Sequence, residues 1–255
     1  MRVVVFAGPS LPPQLRPQDE TLWEWRPPVR QGDVYRAALS HPVAIGVVDG
    51  YFDSVPTAWH KEFLWAMAEG IHVFGAASIG ALRAVELEAF GMRGVGRIFR
   101  ALRDAPWQDF DEVAVLHGPE EAGYPATAAM VNMRATFAAA VREGVLTAEL
   151  AARLTDVAKA LFYPARTYKA VLESADACGC PAADLRRFAD WLPGGRIDQK
   201  RIDAEAMLDA IRSQLAEDPR PLRVAYTLSD TVAWQAARRR STDEHRGSVM
   251  LPGHK

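Results

Sequence analysis

Residues 72–86 read HVFGAASIGALRAVE. The stretch begins as a short apolar strand, 72–74 with a small-residue extension, and from 79 to 90 it continues at helical spacing ahead of Gly91. A strand running straight into a helix is the building unit of a parallel α/β sheet, and the first half of the chain repeats it. Val- and Ile-rich runs lie at 2–7, 43–48 and 112–116, with a further candidate at 21–25. Helical patterns fall between them at 34–39 and at 55–68, the latter behind Ser54 as N-cap and before Gly70. From about residue 122 the pattern becomes Ala-rich and helical, at 126–143, 147–162, 165–177, 182–192 and 200–215, with Gly144, Pro164, Gly179 and Gly194-Gly195 as breaks. The predicted fold is α/β: a mostly parallel sheet with flanking helices in the N-terminal half, then an all-helical C-terminal half. The expected division is a core at 1–121, a helical region packed on it at 122–240, and a flexible tail at 241–255.

Composition narrows the function. The 255 residues are 49% hydrophobic and 24% charged, as in an ordinary globular protein. A net charge of −2 supplies no field for nucleic acid or an anionic membrane, and Arg238-Arg239-Arg240 reads as solvated surface. His72, Arg83 and Glu86 interrupt the most apolar region, so no membrane span is expected. Two cysteines, Cys178 and Cys180, are too few for a disulfide framework, and the chain enters a strand at once, so a cytoplasmic location is expected. Cys178-Gly179-Cys180 offers only two soft ligands, and the acidic stretch Asp109, Asp111, Glu112 lacks neighbouring Cys or His, so no metal and no cofactor is called for. The Gly-rich segment 91–96, GMRGVG, lacks the preceding strand of a nucleotide fingerprint and is set aside.

In a parallel sheet, ligands bind beyond the carboxyl ends of the strands. The residues there are Gly8-Pro9-Ser10, Asp49-Gly50-Tyr51, Ala76-Ala77-Ser78 and His117-Gly118. Ser78 has the most specific setting, a small-x-Ser-x-small turn between strand and helix, which is the layout of a nucleophile elbow; the plain alternative is an N-cap. As a nucleophile it would have the N–H groups of Ile79 and Gly80 at the helix start to stabilise an oxyanion. Two bases are open to it. His117 with Asp49 would give a Ser-His-Asp arrangement. Lys61 emerges from a helical sector shared with Ala58, Leu64, Trp65 and Ala68, where desolvation would lower its pKa, or else it snorkels to water along Trp65. Arg83 and Glu86, spaced i, i+3, form either a surface ion pair or a substrate-orienting pair.

The stretches VVFAGPSLP, PPVRQGDVYRA, AIGVVDGYFDSVPTAWHKEFLWAMAEGIHVFGAASIGALRAVEL, FGMRGVGRIF, DEVAVLHGP and AKALFYPARTY resemble the TfuA-like family, partners of YcaO enzymes in peptide backbone thioamidation, in collinear order over most of residues 1–170. Ile79 and Val85 stand where the family pattern expects Met and Ala. The resemblance implies a hydrolase-like site in which a Ser-Lys dyad cleaves the C-terminal thiocarboxylate of a ThiS-like, ubiquitin-fold sulfur carrier and releases sulfide for the YcaO enzyme. Carried over, the serine is Ser78 and the lysine of WHKE is Lys61, with Ser10 as rival nucleophile. Gly75, Ala76 and Ala77 would suit a slot for an extended di-glycine tail. The competing reading is a non-catalytic adaptor that binds the YcaO enzyme through surface anchors such as Trp107 or Arg100 and leaves Ser78 as a cap.

Overall fold

The computed structural model of the chain describes residues 1–51, 55–104, 110–118, 124 and 127–249. Five strands, β1 (Val3–Phe6), β2 (Trp23–Arg26), β3 (Ala44–Val47), β4 (His72–Ala76) and β5 (Arg93–Val95), form one sheet in the order β2-β1-β3-β4-β5 with every pairing parallel. Three crossovers carry helices, α1 (Asp33–Ala38), α2 (His60–Ala68) and α3 (Ile79–Leu87), and α4 (Gly96–Asp104) follows β5. The chain then turns helical: α5 (Met130–Arg142), α6 (Ala148–Ala160), α7 (Tyr168–Ala177), α8 (Ala182–Gly195), α9 (Gln199–Glu217) and α10 (Val232–Val249).

Strand side chains alternate between two buried layers, as the pleat requires. Val4, Phe6, Ile45, Val47 and Val73 pack with Phe63, Met67, Leu82 and Ile98 from α2, α3 and α4. Val3, Val5, Ala44 and Phe74 face the other way, onto Ala204, Met207, Leu208 and Ile211 of α9. This second face is open to α9 because the β1–β2 connection carries only a 3-10 turn, Pro13–Leu15, instead of a covering helix. The helical C-terminal half therefore supplies a layer of the N-terminal sheet. Helices α5 to α8 build their own cluster around Phe137, Leu154, Val171 and Phe188.

Several elements differ from the expected pattern. Residues 112–116 are not a strand: a 3-10 turn, Phe110–Glu112, leads into an irregular segment. The cause is electrostatic. Glu112, 2% exposed, takes a bidentate pair from Arg134 of α5, and Asp111 pairs with Lys159 of α6 and with the fully buried Arg166. These pairs hold the segment against the helical cluster and off the sheet. The edge strand is instead β5, within the Gly-rich stretch that was set aside. A Cβ on Gly94 would lie 2.1 Å from the Phe99 ring, and Gly96, at φ +98°, lies against the Asp203 carboxylate of α9, so these glycines serve packing.

The helix expected at 55–68 begins only at His60, because Glu62 turns back to accept the Trp59 N–H (2.9 Å), and the Pro56 carbonyl is occupied by the Gln31 N–H (2.8 Å). Ser54 lies outside the described residues, as do Trp107 and Asp109. Residues 241–249, read as tail, continue α10, whose Trp234 packs on Tyr35, Trp59 and Trp65; that burial supports a helix its polar composition does not announce.

Candidate active site

Ser78 follows a strained turn. The Ser78 N–H donates to the Ala76 carbonyl (2.8 Å) around Ala77 at φ +65°, which is the pattern of a γ-turn with its central residue left-handed. For a non-glycine residue this costs about 1–2 kcal/mol. Gly80 permits the next step: a Cβ there would come within 1.8 Å of the Val47 carbonyl oxygen, so α3 can start directly against β3 only with glycine at that position. The Ser78 carbonyl accepts the first helical bonds from Ala81 and Leu82, but its hydroxyl makes no capping bond. The plain N-cap role is thus not the one its side chain plays.

Ser78 instead lines a cavity of about 220 Å³ with Pro9, Asp49, Gly50, Tyr51, Val115, Leu116, His117, Tyr163 and Lys200. The cavity lies beyond the carboxyl ends of β1, β3 and β4, where the strand order reverses between β1 and β3. Asp49, after β3, is 2% exposed; its Oδ2 accepts the N–H groups of Gly8 and Ser10 (2.9 Å each), and its Oδ1 accepts the Ser10 hydroxyl (2.6 Å). Ser10 is therefore a partner of Asp49 in the turn after β1.

The lysine in this cavity is Lys200. It sits in the first turn of α9, 3% exposed, with Nζ donating to the Val113 carbonyl (3.0 Å) and lying 3.8 Å from Asp49 Oδ1. Burial pushes its pKa down from 10.5, outweighing the opposing charges of Asp49 and Asp198. The positive end of the α9 dipole acts in the same direction as burial. Sequence reasoning missed Lys200, although a signal was present: Lys200, Ala204, Met207, Leu208 and Ile211 share one helical stripe, and the other four are core residues.

Lys61 is elsewhere. Its amine donates to the Thr231 hydroxyl (3.1 Å) ahead of α10, so the apolar sector around it is the α2–α10 contact, where Trp65 meets Trp234. In WHKE the buried residue is Glu62, which accepts the Gly32, Tyr35 and Trp59 N–H groups. Arg83 and Glu86 bond to each other (2.6 Å), and reach Ala58 and His60 at the start of α2, away from the cavity. Of the expected oxyanion donors, the Gly80 N–H is directed at the Val48 carbonyl (3.4 Å); Ile79 and Ala77 are buried beside Ser78. His117 does line the cavity, its ring against Tyr51 and Tyr124. Its Nδ1 donates to the Gly118 carbonyl (2.8 Å), so the Gly118 backbone and not Asp49 orients the ring through this nitrogen. Among the described residues no group of His, Cys, Asp and Glu could hold a metal ion, and no helix is long and apolar enough to cross a membrane.

Comparison with curated proteins gives no match. Comparison with family models matches residues 49–167 to TfuA-like protein, a span that includes Asp49, Ser78 and His117 but stops short of Lys200. The family is associated with YcaO enzymes and peptide thioamidation, in agreement with the resemblance carried by the sequence stretches. Residues 49–167 are thus where this chain is similar to TfuA-like protein.

Proposed function

We propose that this TfuA-like protein is a serine hydrolase-like enzyme that cleaves the C-terminal thiocarboxylate of a ThiS-like sulfur carrier and releases sulfide for a partner YcaO enzyme, with Ser78 as nucleophile and Lys200, in place of Lys61, as base. The observation that carries the reading is the shared cavity: Ser78, uncommitted to capping, and the buried amine of Lys200 line the same small space. At about 220 Å³ it falls below the ~300 Å³ lower bound of ordinary small-molecule sites, and it suits the end of an extended chain.

The chemistry balances without a cofactor. The neutral Lys200 amine takes the Ser78 Oγ proton as Oγ attacks the thioacyl carbon, and the oxyanion develops near the positive end of α3. The carbon–sulfur bond breaks, and the ammonium returns the proton to sulfur, which leaves as hydrosulfide. Water then adds to the acyl-serine with Lys200 again as base; the ammonium returns that proton to Oγ, and the carrier leaves as a carboxylate after its remaining carboxyl proton passes to solvent.

The test is sulfide release from a thiocarboxylated carrier by the isolated protein, with acyl-Ser78 sought by mass spectrometry after rapid acid quench. Sulfide and an acyl adduct on Ser78 are expected. Absence of both, together with enhanced engagement of peptide by the YcaO enzyme, would establish the adaptor reading instead.

A further inference from the structure

Asp49 Oδ1 is a shared acceptor. It takes the Ser10 hydroxyl at 2.6 Å and lies 3.8 Å from Lys200 Nζ, while Oδ2 is filled by the Gly8 and Ser10 N–H groups. Ser10, Asp49 and Lys200 are 3%, 2% and 3% exposed, so these groups are shielded from bulk solvent. With three donors from the turn after β1, the carboxylate is solvated by the protein and does not require the ammonium as counterion. The lysine is left with the neutral Val113 carbonyl as its nearest acceptor. An apolar residue in place of Ser10 would leave Oδ1 to the ammonium alone.

We propose that Ser10 is a tuning residue for Lys200: by occupying Asp49 Oδ1 it withholds that oxygen from the amine and sets the pH at which Lys200 gives up its proton. Asp49 is the positioning residue through which Ser10 acts. The other titratable and charged groups facing the amine are Asp198 at the start of α9 and, across the cavity, His117, Tyr51 and Tyr163, none of which bonds to Ser10 among the described contacts. The catalytic consequence rests on the reading of Lys200 as the base for Ser78; the titration itself does not.

The two neighbours should act with opposite sign. Ser10→Ala frees Oδ1 for the ammonium and raises the midpoint of Lys200; Asp49→Asn removes the charge and lowers it. Each shift is expected at about one pH unit, the scale of one charge-assisted contact. Protein labelled with carbon-13 at lysine Cε reports the midpoint by NMR, with the Lys200 signal assigned from its loss in Lys200→Met. Opposite shifts support the proposal. A midpoint unmoved or lowered by Ser10→Ala overturns it, and that variant alone decides if Asp49→Asn does not fold. Sulfide release followed against pH should show its acid limb moving with the same signs. Opposite NMR shifts in a protein that releases no sulfide would leave the tuning intact and remove the hydrolase reading.

Discussion

Lys200 Nζ donates to the Val113 carbonyl at 3.0 Å, so the amine at the start of α9 is tied to the irregular segment that also carries Val115, Leu116 and His117 into the cavity. One hydrogen bond thus joins the sheet's second layer to the wall of the site.

Ser78→Ala should abolish sulfide release at almost no cost in stability. A capping serine costs about 1 kcal/mol when removed, but this hydroxyl makes no capping bond, so a change within about 0.5 kcal/mol is expected by denaturant titration. A loss above about 1 kcal/mol would return Ser78 to a structural role.

Lys200→Met should be inactive and should change how stability depends on pH. Because the folded pKa lies below 10.5, the unfolded chain binds more protons between the two values, and wild-type stability rises with pH across that window. The burial penalty is full below the folded pKa and absent above 10.5. Denaturant curves from pH 6 to 10 should show the rise in wild type and its absence in Lys200→Met. Lys61→Met, which removes only the contact with Thr231, should keep both the rise and sulfide release within about twofold of wild type; inactive Lys61→Met with active Lys200→Met would restore the other lysine as base.

His117→Asn should slow release far less than Lys200→Met, since a positioned general base contributes roughly 100- to 10,000-fold. With Nδ1 bonded to Gly118, the ring is held as a wall of the cavity. Equal losses at the two positions would favour histidine as base.

Gly80→Ala should be destabilised by at least about 3 kcal/mol or fail to fold, because the methyl would meet the Val47 carbonyl oxygen at 1.8 Å and neither backbone can yield without parting α3 from β3. A Tm within a few degrees of wild type would show that the turn is looser than its geometry indicates.

Asp111→Asn tests the ionic clamp on the cavity wall. Burial pushes the Asp111 carboxyl up, but hydrogen bonds and charge from Lys159 and Arg166 together hold it below 3.8. A depressed carboxyl stabilises the fold above its unfolded value and loses that contribution as pH falls through the folded one. The variant should be about 1–3 kcal/mol less stable at pH 6, with a gap that narrows below 3.8, and should show a raised KM.

The parts of the fold with local cause were legible. The apolar runs of β1, β3 and β4 and the small residues around Ser78 announce themselves, and Asp49, Ser78 and His117 do meet at one cavity. What was not legible depends on pairs distant in sequence. Residues 112–116 have strand composition, but Arg134, Lys159 and Arg166 claim Glu112 and Asp111 from further along the chain. Lys61 and Lys200 both emerge from apolar helical faces, and only the tertiary fold distinguishes the face covered by α10 from the one pressed on the sheet.

The layer supplied by α9 fixes an order of assembly during synthesis. All five strands, Ser78 and the whole of residues 49–167 leave the ribosome before the helix that covers Val3, Val5, Ala44 and Phe74 exists. Until residue 217 has emerged, one face of the nascent sheet remains apolar and uncovered, a state prone to association with other chains. Because the same helix delivers Lys200, the cavity beside Ser78 is completed only in the event that closes the core, so under the proposed function a partly made copy would release no sulfide.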